Sequence, residues 1–155
     1  MGIREAEQFV QLFRENPDES IFAGGCSEAE IAEAERQLGV TFPESYKFFL
    51  RELGDCYVAG EEIYGVVVRD SQLLGAVTET FDLRESTGMP SHLVAFRPDG
   101  MGGYFTLDTS RMSAEGEAPV YVWGAGAHSA TELEYIGTDF GTVALGLAQR
   151  GLRSA

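Results

Sequence analysis

The chain has 155 residues, with 25 acidic against 11 basic side chains and a net charge of -14. That balance counts against nucleic acid, whose phosphates are held by Lys and Arg, and against anionic membrane surfaces. A hydrophobic content of 44% suits an ordinary globular domain, and no apolar run nears the roughly 20 residues that cross a bilayer.

In chain order, "IREAEQFVQLF" sets Ile3, Ala6, Phe9, Val10 and Phe13 at helical spacing. "NPDES" breaks that helix and "AGGC" follows as a loop. "SEAEIAEAERQLG" predicts a second helix, in which Ser27 caps, Glu30 completes a capping box and Gly39 ends the run. "FPESYKFFLRELG" predicts a third, with Pro43 near its first turn and Gly54 at its stop. Its apolar face is Tyr46, Phe49, Leu50 and Leu53. The texture then turns to strands. "CYVAGEEIYGVVV" predicts a hairpin with Gly60 in the turn. "LLGAVTETFDLREST" reads as helical from about Val77 to Glu85, stopped by Gly88-Met89-Pro90. "HLVAF", "GYFTLD" and "PVYVW" predict three strands, and Glu134 to Ile136 a short fourth. Thr138 or Asp139 caps a last helix through "FGTVALGLAQRG". Helices, then strands, then a helix predict an α+β fold. With no linker or repeat, residues 1–155 are expected to form one domain. Trp123 is expected to be buried among Phe96, Phe105 and Tyr121.

Chemical candidates are few. In "FRPDGMGGYFTLD" the glycines Gly100, Gly102 and Gly103 invite a phosphate-loop reading. Such a loop needs a helix N-terminus after it, whereas "YFTLD" reads as a strand, so the stretch predicts a hairpin turn. Calcium is disfavoured because Asp99 is the only carboxylate before that strand. His92 and His128 lack metal-ligand spacing. Cys26 and Cys56 make no disulfide framework and are expected as free thiols. Cys26 precedes a helix N-terminus, which favours a thiolate, but no base can be placed beside it. Pairs such as Glu61-Glu62, Glu115/Glu117 and Glu132/Glu134 are expected to be solvated rather than glycosidase-like. No nucleophile, base and oxyanion donor assemble. The expectation is a protein without catalysis, cofactor or metal, and cytoplasmic because the N-terminus lacks a signal peptide's apolar stretch.

The run "IFAGGCSEAEIAEAERQLGVTFPESYKFFLRELGD", residues 21–55, resembles the opening signature of the SUKH (Smi/Knr-like) superfamily. "IYGVVV", "LVAFRPDGMGGYFTLD" and "PVYVWG" resemble its strand pair, its Asp-Gly-x-Gly hairpin and its late strand ending in Trp. The resemblance covers about residues 20–148 and makes Ser27, Gly54, Gly100, Gly102 and Trp123 structural motif positions. Two departures stand out: Gly103 where the family hairpin usually carries Asp, and Gly124 where a polar residue commonly follows Trp. The resemblance implies N-terminal helices and a C-terminal helix packed on a bent, mainly antiparallel sheet, without catalysis. It implies an immunity protein that binds and neutralises a toxin, often a nuclease, of a polymorphic toxin system. Its alternative is an interaction module in signalling or cell-wall regulation. A nuclease is basic, so an acidic inhibitor would mimic its ligand. Residues 55–85 carry seven acids against two bases, and residues 99–139 seven against one. The expected partner contacts are Glu61, Glu62, Asp99, Glu115 and Glu117. Glu28, Glu33 and Glu35 are already accounted for by helix-dipole stabilisation and solvation.

Overall fold

A computed structural model describes residues 2–124 and 133–154. Its first helix, α1, is Ile3–Glu15, and it buries Ala6, Phe9, Val10 and Phe13 along one stripe, as their spacing requires. Ile3, at the first turn, remains 36% exposed. After a 3-10 turn at Pro17–Glu19 comes strand β1, Ser20–Phe22, where the sequence suggested only a break and a loop. Helix α2, Glu28–Leu38, starts on a complete capping box. Ser27 Oγ accepts from the Glu30 amide at 3.1 Å, and the Ser27 amide donates back to Glu30 Oε1 at 2.9 Å. Gly39 ends that helix in the left-handed conformation.

Helix α3, Glu44–Glu52, buries Tyr46, Phe49 and Leu50, with Leu53 buried just beyond its end. The rings of Tyr46 and Phe49 meet Phe140 at centroid distances of 4.9 and 5.2 Å. Phe140 opens the last helix, α5, Phe140–Ser154, which lies along α1. Asp139 caps α5, its Oδ1 accepting from the Thr142 amide at 2.7 Å.

Strands β2, Cys56–Val58, and β3, Glu61–Ile63, form the expected hairpin, with β1 on the outer side of β2. A second hairpin follows: β4, Val66–Arg69, and β5, Gln72–Gly75. Helix α4 then runs Ala76–Thr87, starting one residue earlier and ending two later than the sequence suggested. Strands β6, Leu93–Pro98, β7, Tyr104–Asp108, β8, Val120–Trp123, and β9, Glu134–Gly137, make a four-stranded antiparallel sheet in chain order. The fold is α+β, and its antiparallel strands are shared among three sheets. The first two of these meet at a backbone crossing. The Val66 amide donates to the Gly54 carbonyl at 2.7 Å, and a Cβ on Gly65 would stand 1.6 Å from that oxygen.

Trp123 is 2% exposed, as expected, but its surroundings differ from the expectation. It packs with Leu83, Met89, Leu93 and Ala95, beneath α4. Phe96 and Phe105 belong to the opposite, main core, where the ring of Phe96 meets Phe140 at 5.2 Å. Tyr121 shares the face of Trp123 by strand parity, yet is only half-buried and meets Tyr135 at 5.7 Å. This sheet is covered on both faces, so both parities carry apolar residues and alternation does not assign a side.

The glycine-rich stretch is a hairpin loop. Asp99 Oδ1 accepts from the amides of Met101 and Gly103, at 2.7 and 2.9 Å, while Gly100 and Gly102 take φ of 82° and 92°. A Cβ on Gly103 would come within 2.9 Å of Gly124 Cα and of the Trp123 carbonyl. Glycine at 103 therefore lets the two strands approach closely, whereas a Cβ on Gly124 would meet nothing within 4 Å.

Candidate functional site

The five acids expected at a partner surface do not gather. Glu117 is 6% exposed and faces inward. Its Oε2 accepts from the Ser45 amide at 2.9 Å and its Oε1 from the Ser45 hydroxyl at 2.7 Å, closing the first turn of α3. Burial pushes its carboxyl above the usual range, opposed by the Ser45 bonds and reinforced by Asp139 and Glu44. Glu117 is therefore a helix cap, which corrects its place in the expected surface. Glu115 is exposed in the same loop, and the next residue, Gly116, accepts from the Glu44 amide at 2.9 Å. That puts it at the N-terminal end of α3, whereas β2 leaves from the C-terminal end. Asp99 is half-buried and engaged within its own hairpin. Glu61 is ion-paired with Arg97, whose guanidinium lies 5.3 Å from the Phe105 ring centroid. Of the five, only Glu62 and Glu115 are exposed and without an ion pair among the described residues, and of these two Glu62 lies on β3.

Around Glu62 the register builds a defined surface. Ile21 pairs with Tyr57, and Tyr57 pairs with Glu62, so the three form one row across β1, β2 and β3. Beside the row is a groove of about 300 Å³ lined by Ile21, Phe22, Asp55, Tyr57, Glu62 and Arg69, among others. Ile21, Phe22 and Tyr57 are 69%, 54% and 46% exposed. Burial pushes the Asp55 carboxyl up to about 6; amide donation from Cys56 and Gly65 opposes that, and Glu62 adds to it.

On the other side of Glu62 lie two phenols. Burial pushes Tyr64 up to about 12, with Glu62, Glu79 and Tyr104 adding to the shift. Tyr104 is raised by burial first, then by Glu79 and Asp82. Glu62, Glu79 and Asp82 thus share a strip with two tyrosines, continuous through Glu62 with the apolar groove. The composition suits a cationic protein surface, since aromatic rings beside carboxylates accept guanidinium and ammonium groups. The helical acids set aside from sequence have local partners. Glu28 pairs with Arg51 at 2.6 Å, Glu33 pairs with Arg36, and Glu35 accepts from the Phe42 amide at 2.7 Å.

Cys26 is buried, its thiol donates to the Val66 carbonyl at 3.2 Å, and burial pushes its pKa up to about 11. Cys56 is buried and raised further for the same reason. His92 lies 3.8 Å from Asp108. His128 and Glu132 lie outside the described residues. Among the described residues no three His, Cys, Asp or Glu side chains are grouped to hold a metal ion, and no helix is long and apolar enough to cross a membrane.

Sequence reading missed Asp55, Tyr57, Tyr64, Glu79, Asp82 and Tyr104. Nothing local marks them, because β2, β3, α4 and β7 come together only through tertiary pairing. Comparison with known families gives one finding: residues 6–137 match the family model SUKH_5, described as SMI1-KNR4 cell-wall.

Proposed function

The chain belongs to the SUKH (Smi/Knr-like) superfamily, and from that premise we propose that it is a bacterial immunity protein that binds and neutralises a cognate toxin. The toxin we infer is a basic, nuclease-type domain of a polymorphic toxin system, blocked in the cytoplasm without catalysis. The observation that carries this reading is the strip around Glu62, carboxylates without an ion pair among the described residues, interleaved with phenols on a chain of net charge -14. A nuclease active site is built to hold phosphates with Lys and Arg. An acidic face complements it and draws the two proteins together through long-range attraction. In this reading Glu62 makes direct contact. Glu61 and Asp99, already satisfied locally, contribute field, and Glu115 is an outlying contact. Co-expression with the toxin domain encoded beside this gene tests the reading. Survival of the cells supports it, and unrelieved death overturns it.

A second reading, an interaction or scaffold domain in signalling or cell-wall regulation, is favoured by the cell-wall description of the matching family. Affinity purification from the native cell separates the two. A housekeeping assembly as main partner favours the scaffold, and one small toxin domain favours immunity.

A further inference from the structure

We propose that the groove across β1, β2 and β4 is the docking site for an extended segment of the partner, one that carries an arginine or lysine flanked by an apolar side chain. The proposal deepens the immunity reading by naming the segment's chemistry.

The two halves of the groove dictate that chemistry. At one end Ile21 and Phe22, consecutive on β1 and so on opposite faces of the strand, both line the groove and are 69% and 54% exposed, the Phe22 ring resting edge-on against Phe13 at 5.6 Å. At the other end are the carboxylates of Asp55 and Glu62. Neither forms an ion pair among the described residues, and Glu62 raises the Asp55 carboxyl through their mutual repulsion. A cation placed between them relieves that repulsion and gains charge-assisted hydrogen bonds. Tyr57, opposite both Ile21 and Glu62 and 46% exposed, lies between the halves, where its ring can face a cation. Arg69, on the β4 wall, forms no ion pair with either carboxylate among the described residues.

Charge selects the occupant. A second copy of this chain brings another net charge of -14 and would set Asp55 and Glu62 against like charges. A basic partner meets none of that opposition.

The probe is a capped hexapeptide, Ile-Arg-Val-Arg-Ile-Gly, titrated into the isotopically labelled full chain, with the Glu-for-Arg peptide as control. The expected result is saturable amide shifts confined to residues 21–23, 55–57 and 62, and no response to the acidic peptide. Ile21→Ser and Glu62→Gln, both at exposed positions, should each weaken binding roughly five-fold or more, equivalent to about 1 kcal/mol, with unchanged circular dichroism. Three results would each overturn the proposal: no shifts, shifts spread over Glu28 and Glu33, or the same shifts from concentrating the protein alone. No toxin enters this measurement, so its failure leaves the co-expression result standing, and the converse also holds.

Discussion

Glu117, on the loop before β8, holds both the amide and the hydroxyl of Ser45, at 2.9 and 2.7 Å, and that hydroxyl accepts in turn from the Gly141 amide at 3.2 Å. One carboxyl therefore ties the loop to the starts of α3 and α5. Glu117→Ala leaves the Ser45 donors buried without a partner, which costs about 1–3 kcal/mol. The expected outcome is a lower urea midpoint with an unchanged slope, and a smaller loss for Glu117→Gln. Full parental stability in Glu117→Ala would contradict the capping role.

Trp123 is anchored at both ends of its side chain. Its ring fills the cluster under α4, and its indole N–H donates to Thr87 Oγ1 at 2.9 Å. Trp123→Ala should cost about 3–5 kcal/mol, a large share of a typical domain's stability. Thr87→Val removes that acceptor together with the hydroxyl's own donation to the Leu83 carbonyl at 2.6 Å, and should cost about 1–2 kcal/mol. Tryptophan emission checks the placement: the native protein should emit as a buried indole, and a water-exposed maximum would rule it out.

The glycines separate into two kinds. Gly65→Ala puts a Cβ 1.6 Å from the Gly54 carbonyl, at the crossing of the sheets, and should abolish the folded state. Gly100→Ala meets nothing within 4 Å and carries only the strain of φ 82°, about 1–2 kcal/mol. Thermal unfolding followed by circular dichroism compares them, and equal losses would show that the crossing is not as tight as described.

Asp55 makes stability fall as pH rises through acid values. Its carboxyl is raised from 3.8 to about 6 in the folded protein, so between those values the folded state binds the proton more tightly than the unfolded state. Of the groups that face it, Glu62 adds repulsion. The Cys26 and Cys56 thiols and the Tyr46 phenol are raised and stay neutral in this window. Asp55→Asn should flatten the decline and be more stable at pH 7. The gain should be on the order of 1 kcal/mol, since solvent screening at a partly exposed site discounts the roughly 3 kcal/mol of the whole shift. Melting points of both proteins at pH 4 to 7 check this, and parallel curves would refute it.

Local chemistry was legible in the sequence, and tertiary assembly was not. The Ser27 capping box, the Gly39 and Gly88 helix ends, the Gly60 turn and the Asp99 hairpin loop each depend on a few adjacent residues. Strands β1 and β5 are three and four residues long, too short to show a period, and exist because β2 and β4 pair with them. Glu117 read as a surface acid because its partner, Ser45, is 72 residues away in the chain. The Glu62 strip was half visible. Its β3 carboxylate was singled out, while Glu79 and Asp82 joined it only when α4 docked against β5 and β6.

In the proposed function, a basic toxin is recognised through the face around Glu62. The most direct test of that recognition is the association rate with the toxin domain encoded by the adjacent gene, measured by stopped flow at rising salt. Electrostatic attraction over about 8 Å near physiological ionic strength predicts a rate that falls as salt rises. Glu62→Lys should slow association far more than Glu33→Lys, whose charge is already held by Arg36. Absence of a complex, or a rate indifferent to salt and equal in the two variants, would contradict the account.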